Sequence, residues 1–212
     1  TDGSREYLKS LSGTLFRWTS EADSGISEAL NKGIRSVRHG HILFLNSGDC
    51  FARSDAVSRI KDDLTRIPDG TLLLYPVEQV RPGGETVRTV FPSRSLRKQL
   101  LRNYLPHQGM VIPRALFDRV GLYDESFFLG MDYEWSLRLK KVAAKSIRCK
   151  ETPPIARVDT EGRSMAQFER SFRAYHRARR KNHTLPVWLS WLFAELFILR
   201  RRVALLFNPE HR

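Results

Sequence analysis

The stretch His41-Ile42-Leu43-Phe44-Leu45-Asn46-Ser47-Gly48-Asp49 carries the strongest fold signal in the chain. A compact apolar run leads into a polar loop that ends in a carboxylate. Short apolar runs bounded by turn residues fit a strand buried on both faces. In open α/β sheets, ligands bind outside the carboxyl ends of the strands, so the loop over 46–49 is where chemistry is expected. On the amino-terminal side, Ile26, Ala29, Leu30, Ile34 and Val37 recur at spacings of three and four, which predicts a helix over 24–37 that Gly40 ends. On the carboxyl-terminal side a helix is expected over 54–67, closed by Pro68-Asp69-Gly70, then a strand over 71–77.

The same alternation continues outward. Arg81-Pro82-Gly83-Gly84-Glu85 reads as a hairpin turn into a strand over 86–90. A short helix over 96–101, a strand over 109–112 and helices over 114–120 and 131–142 follow, then a strand over 146–149. Ahead of the opening stretch, a helix is expected over 5–11 and a strand over 15–19. Strands alternating with helices indicate an α/β sandwich. After Pro153-Pro154 the character changes to a basic helix over 164–181 and a largely apolar segment over 185–207. The expected division is therefore a catalytic-type α/β domain over 1–155 and a basic, amphipathic helical tail over 156–212.

The 212 residues are 41% hydrophobic and 28% charged, which suits a folded globular chain and excludes wholesale disorder. The formal charge is +13. Over 157–212, twelve Lys/Arg stand against five Asp/Glu, so +7 of that excess lies in the tail. Such a tail suits nucleic acid, an anionic membrane surface or phosphate-bearing substrates. No zinc spacing or RNA-binding signature accompanies it, so no nucleic-acid partner is expected. The stretch over 185–199 has 15 residues, short of the roughly 20 apolar residues that a spanning helix needs. Trp188 and Trp191 beside Arg200-Arg201-Arg202 fit a helix lying in the membrane interface; packing on the domain or on a second copy is the alternative. Cys50 and Cys149 lack metal or disulfide spacing and are expected to be buried or half-buried thiols.

Three places could carry chemistry. Asp49, at the end of the buried strand, could hold a divalent cation, since hard cations take oxygen ligands and share them with substrate phosphates. Asn-Ser-Gly-Asp is also good turn chemistry. Asp132 follows Asp124-Glu125-Ser126-Phe127-Phe128-Leu129-Gly130-Met131, at the start of a helix, where it could act as a base or cap the helix. His107-Gln108, ahead of a strand, could contact a phosphate or a sugar hydroxyl, or hydrogen-bond structurally.

Taken together, these segments resemble family 2 glycosyltransferases. The stretch from Ser20 through Glu21, Asp23, Gly25-Ile26, Ala29, Asn31 and Gly33 resembles that family's Glu-x-Asp-x-Gly-Ile segment followed by Ala-x-Asn-x-Gly. The strand and loop ending at Asp49 resemble its Asp-x-Asp-like element, and Thr1-Asp2-Gly3-Ser4 its Asp-Gly-Ser turn. His107-Gln108, Gly121-Leu122-Tyr123-Asp124-Glu125 and Asp132-Tyr133-Glu134 complete the order seen in the branch that builds bacterial surface polysaccharides.

The resemblance implies a GT-A α/β/α sandwich, amino-terminally incomplete, with a carboxyl-terminal helical tail. It implies an inverting glycosyltransferase of hexosyltransferase type, moving sugar from a nucleotide-diphosphate donor to a glycan or lipid-linked acceptor. Asp132 matches the base, and Asp49 the carboxylate that holds Mg²⁺ or Mn²⁺ against the diphosphate. Asp23, Asn31, Lys32, Asn46 and Ser47 fall in nucleotide-sugar-binding segments; His107, Gln108 and Glu134 match acceptor- or donor-side positions, and Gly162-Arg163-Ser164 a loop near the donor. Asn46 and Gly48 stand where the partner acid of Asp49 would be. The family's opening strand-helix-strand has no counterpart ahead of Thr1, so weak nucleotide-sugar binding by these residues alone is expected. A non-catalytic glycosyltransferase remnant that binds a membrane or a partner is the alternative. The location implied is peripheral, on the inner face of a bacterial membrane.

Overall fold

The computed structural model describes residues 3–11, 17–81, 84–93, 96–100, 103–143, 147–159 and 167–207. The expected strand over 15–19 lies largely outside them, as do Thr1-Asp2 and Gly162-Arg163-Ser164. The elements are α1 (Ser4–Ser10), α2 (Ile26–Ser36), β1 (His41–Ile42), β2 (Cys50–Phe51), α3 (Ala56–Leu64), β3 (Leu72–Leu74), β4 (Val77–Val80) and β5 (Thr86–Val90). Two short 3₁₀ turns, Leu96–Leu100 and His107–Gly109, precede β6 (Met110–Pro113), α4 (Arg114–Val120), α5 (Met131–Ala143), β7 (Ile147–Cys149) and β8 (Ala156–Asp159). Two helices close the chain, α6 (Phe168–Lys181) and α7 (Val187–Phe207).

The fold is α/β. The main sheet has the order β1-β6-β3-β7 and the smaller one β2-β8-β4-β5. Side chains alternate across a strand, so consecutive residues of β3 and β6 enter opposite cores. Leu72, Leu74, Met110 and Ile112 pack with Phe117, Tyr133 and Trp135 on the face covered by α2, α4 and α5. Leu73 and Val111 pack with Ala56, Ile60 and Leu64 of α3 on the other. Three successive leucines can therefore all be buried, each contributing about 1.5–3 kcal/mol.

The single strand expected over 71–77 is two. Pro76 has no N–H for a ladder, and there the chain leaves the main sheet and enters the smaller one as β4. The strand expected from His41 is laddered only at His41–Ile42, with Leu43–Leu45 extended beyond it. Cys50, expected to be buried or half-buried, is exposed because β2 lies at the edge of the smaller sheet. The domain boundary expected at 155 cuts off β8, which pairs parallel with β4 and antiparallel with β2 and so belongs to the α/β unit.

The tail packs on the domain through α6. Tyr175 lies against Tyr133 with ring centroids 4.4 Å apart, and Phe172 of α6 stacks on Phe197 of α7 at 5.4 Å. Arg179 is buried between them, donating to Ser190 Oγ at 2.7 Å, Ser190 O at 2.9 Å and the Tyr133 hydroxyl at 3.4 Å. Among the described residues no helix is long and apolar enough to cross a membrane.

Candidate active site

Topology brings the two candidate carboxylates to one edge. Both β1 and β3 run antiparallel to β6, so the chain leaves β1 at the edge where it enters β6. Carried further, the register His41↔Pro113 and Ile42↔Ile112 sets Asn46 opposite Gln108. The side chains meet accordingly. Gln108 Nε2 donates to Asp49 Oδ2 at 2.9 Å, and the Asn46 amide donates to the same oxygen at 2.9 Å. The Asp49 amide returns a bond to Asn46 O at 3.0 Å, and Gly48 closes the turn at φ +88°, a left-handed conformation easiest for glycine. Asp49 thus acts as a turn residue through Oδ2 alone.

Asp132 occupies the first turn of α5, where the helix dipole favours a carboxylate. Its Oδ2 accepts from Asn103 Nδ2 at 2.6 Å. Asn103 and Gln108 flank His107 on one loop, which therefore touches both carboxylates. His107 is buried, stacks on Phe44 at 5.0 Å and shares a 2.8 Å hydrogen bond between Nε2 and the Tyr123 hydroxyl. Burial pushes its imidazole below the usual range, and the negative charges of Asp132 and Asp49 oppose that shift. Both carboxylates therefore lie within electrostatic reach of one ring. Burial also holds the Tyr123 phenol well above its ordinary range, with Asp132 adding to the effect. His107 is a neutral spacer wedged beneath the site.

Gly109 makes this loop possible. A Cβ there would stand 2.3 Å from Tyr75 O, so only glycine lets β6 begin this close to the end of β3. The Tyr75 amide donates to Gly109 O at 2.8 Å.

Several other expected site residues are engaged within the protein. Glu134 is 0% exposed, binds Arg138 at 2.8 Å and accepts from Asn182 Nδ2 at 3.1 Å, so it presents nothing to an acceptor. Asn31 is buried: its amide donates to Tyr123 O and Glu125 Oε1 at 2.9 Å each and accepts from the Tyr123 amide at 3.0 Å. With both ends of the amide engaged, it clamps α2 to the loop before α5 and has no group for a nucleotide. Lys32 donates to Ala22 O at 2.6 Å and pairs with Glu21 and Glu28 at 3.1 and 3.0 Å. The Glu28 hydrogen bond leads the causes that raise its pKa. Asp23 accepts from the Gly25 amide at 2.9 Å in a turn at the start of α2. Ser47 is exposed and Asn46 half-buried on the Asp49 turn.

The narrow cleft between the start of α2 and Phe128 encloses about 60 Å³, well under the ~300 Å³ at which ligand pockets begin. Among the described residues no cluster of three or more His, Cys, Asp or Glu could hold a metal. Asp49 offers one hard oxygen, which fits a cation whose other ligands are water and substrate phosphate.

Comparisons with known proteins agree with this architecture. The chain is 32% identical over 146 residues to the uncharacterized glycosyltransferases MT1564 and Rv1514c of two Mycobacterium tuberculosis strains, CDC 1551 / Oshkosh and ATCC 25618 / H37Rv. The match covers 68% of this chain and 55% of each relative, so the chain spans about half the length of the curated relatives it matches. Its fold is similar to that of S. aureus TarS 1-349, with a TM-score of 0.52 at 13% identity, over 81% of this chain and 49% of that one. No family model matches the chain.

Proposed function

We propose that the chain is a GT-A-type glycosyltransferase that moves a sugar from a nucleotide-diphosphate donor to a hydroxyl of a glycan or lipid-linked acceptor, with inversion. The observation that carries this reading is the shared loop: Asn103, four residues before His107, binds Asp132, and Gln108, the residue after it, binds Asp49. Two carboxylates from distant elements thereby face one edge. The similarity to proteins named glycosyltransferase supports the same assignment.

In this reading Asp132 accepts the proton of the attacking hydroxyl as the hydroxyl oxygen bonds to the anomeric carbon. The donor's phosphate oxygen leaves on the opposite side with the bonding electrons. Direct displacement inverts the anomeric centre and needs no covalent intermediate on the chain. Asn103 holds the base in place, and Asp49 borders the leaving diphosphate. A bound Mg²⁺ or Mn²⁺ would supply charge neutralisation for that diphosphate. Asn46 and Ser47, on the Asp49 turn, line the donor side.

Release of nucleoside diphosphate from a panel of nucleotide sugars, in the presence of bacterial lipid and glycan acceptors, tests the proposal. Asp132→Asn should reduce transfer by about a hundredfold or more, as loss of a general base does. Unimpaired transfer by that variant would remove Asp132 as base.

A further inference from the structure

Helix α7 has two faces of different character. Ser190, Ala194 and Ile198, four residues apart, are buried against the rest of the protein. The outward side carries Trp188, Trp191, Leu192, Leu196, Leu199 and Val203, all exposed; Trp188 is 68% and Leu199 58% exposed. Steps of three and four along a helix draw these side chains into one stripe. The helix has 21 residues, about 31 Å at 1.5 Å each, so the stripe is long; the half-buried Glu195 falls within it, between Trp191 and Leu199. Exposed apolar surface of this extent marks an interaction site.

Basic side chains mark its ends. Where α6 turns into α7, Arg177, Arg180, Lys181 and His183 line an open groove of about 450 Å³ together with Val187, the first residue of α7. Arg200 is exposed towards the other end. A basic rim around an apolar stripe with two tryptophans matches a bilayer interface, with phosphate above and acyl chain below. A second copy of the chain fits poorly, because a two-fold pairing through this face would set basic rims against each other.

We propose that the outward face of α7 and the cationic groove at its start form a docking surface for a bilayer containing anionic phospholipid, with α7 lying in the plane of the interface. Arg177 and Lys181 also reach the loop before Asp132. Arg177 Nη2 donates to Ser126 Oγ at 2.7 Å and its guanidinium lies 4.0 Å from the Phe127 ring centroid; Lys181 Nζ donates to Asp124 Oδ2 at 2.5 Å. The bilayer would thus lie beside the Asp132 side of the candidate site, where a lipid-linked acceptor would be presented. The docking itself does not rest on the transfer reading, so vesicle binding and sugar transfer can fail separately.

Flotation with phosphatidylcholine vesicles, with and without phosphatidylglycerol, tests it. The chain should float with the phosphatidylglycerol vesicles and lose much of that binding at high salt. Trp188→Glu/Trp191→Glu should reduce binding at least tenfold on the same vesicles. Arg180→Glu should weaken binding to phosphatidylglycerol vesicles several-fold and leave any residual binding to phosphatidylcholine unchanged. These positions are exposed, so far-ultraviolet circular dichroism should be unaltered in all variants. Absence of vesicle binding by the parent chain, or full binding by the Trp188→Glu/Trp191→Glu variant, would overturn the proposal. So would a parent dimer that this double variant turns into a monomer in analytical ultracentrifugation.

Discussion

Asn103 donates its side-chain amide to Asp132 Oδ2 at 2.6 Å, tying the loop ahead of β6 to the first turn of α5. The Leu105 amide in turn donates to Asn103 Oδ1 at 3.1 Å, which fixes the side chain that does the holding. A hydrogen bond to a charged group is worth about 1.5–3 kcal/mol. Asn103→Ala is therefore expected to lower kcat by roughly tenfold or more, since misplacing a base weakens the transition state. The donor KM should stay near its parent value if, as proposed, the donor side rests on Asp49. Steady-state kinetics with varied donor check this; a raised donor KM with unchanged kcat would move Asn103 to the donor side.

Asp49 supplies one carboxylate and no described His, Cys, Asp or Glu cluster completes a cage around it. Divalent-ion binding should therefore require the diphosphate. Manganese electron paramagnetic resonance should register bound Mn²⁺ with nucleoside diphosphate present and little without it. Asp49→Asn should raise the donor KM by about tenfold or more and blunt the response to added Mg²⁺ or Mn²⁺. Tight Mn²⁺ binding in the absence of nucleotide would contradict a one-carboxylate site.

Glu134 separates a structural role from a functional one. Its carboxylate is buried and faces Arg138, Asn182 and, at 3.5 Å, Lys181. Removing one partner of a buried pair leaves the other uncompensated, at about 3–5 kcal/mol. Glu134→Ala should cost that much in urea unfolding, with kcat per folded molecule near the parent value. A variant of parental stability that has lost activity would restore Glu134 to the acceptor side.

Most helices were legible because their signal is local. The spacing of Ile26, Leu30 and Ile34 defines α2 within the chain segment itself, and Arg114–Val120 is delimited by Pro113 and Gly121. What escaped depends on partners far along the chain. Nothing near Asn31 announces that Tyr123, 92 positions away, will bond both ends of its amide. Asn103 carries no motif, and its importance arises only when β6 delivers its loop to α5. The strand β8 has four residues alternating between buried and exposed, too short a pattern to outweigh Pro153-Pro154 as a domain end. The pairing of Asp49 with Gln108 follows from the β1–β6 register, which no residue spacing encodes.

His107 makes stability depend on pH. Burial lowers its pKa in the folded protein from the usual value near 6.5, so the folded state resists the proton that the unfolded chain accepts. Below that value the unfolded state binds more protons, and stability falls as pH drops. His41 and His176 are shifted the same way by burial, so among the described residues they share the slope between pH 7 and about 5 with His107. The carboxylates of Glu28 and Asp124, both held at about 2, contribute stability that is lost mainly below about pH 5, as the unfolded carboxylates take up protons, so they weigh little in this window. His107→Gln can keep a polar contact to the Tyr123 hydroxyl and has no titration. Urea midpoints should thus fall less steeply from pH 7 to pH 5 in the variant than in the parent, even where the variant is less stable overall. Parallel slopes for the two proteins would mean that His107 takes up its proton as readily folded as unfolded.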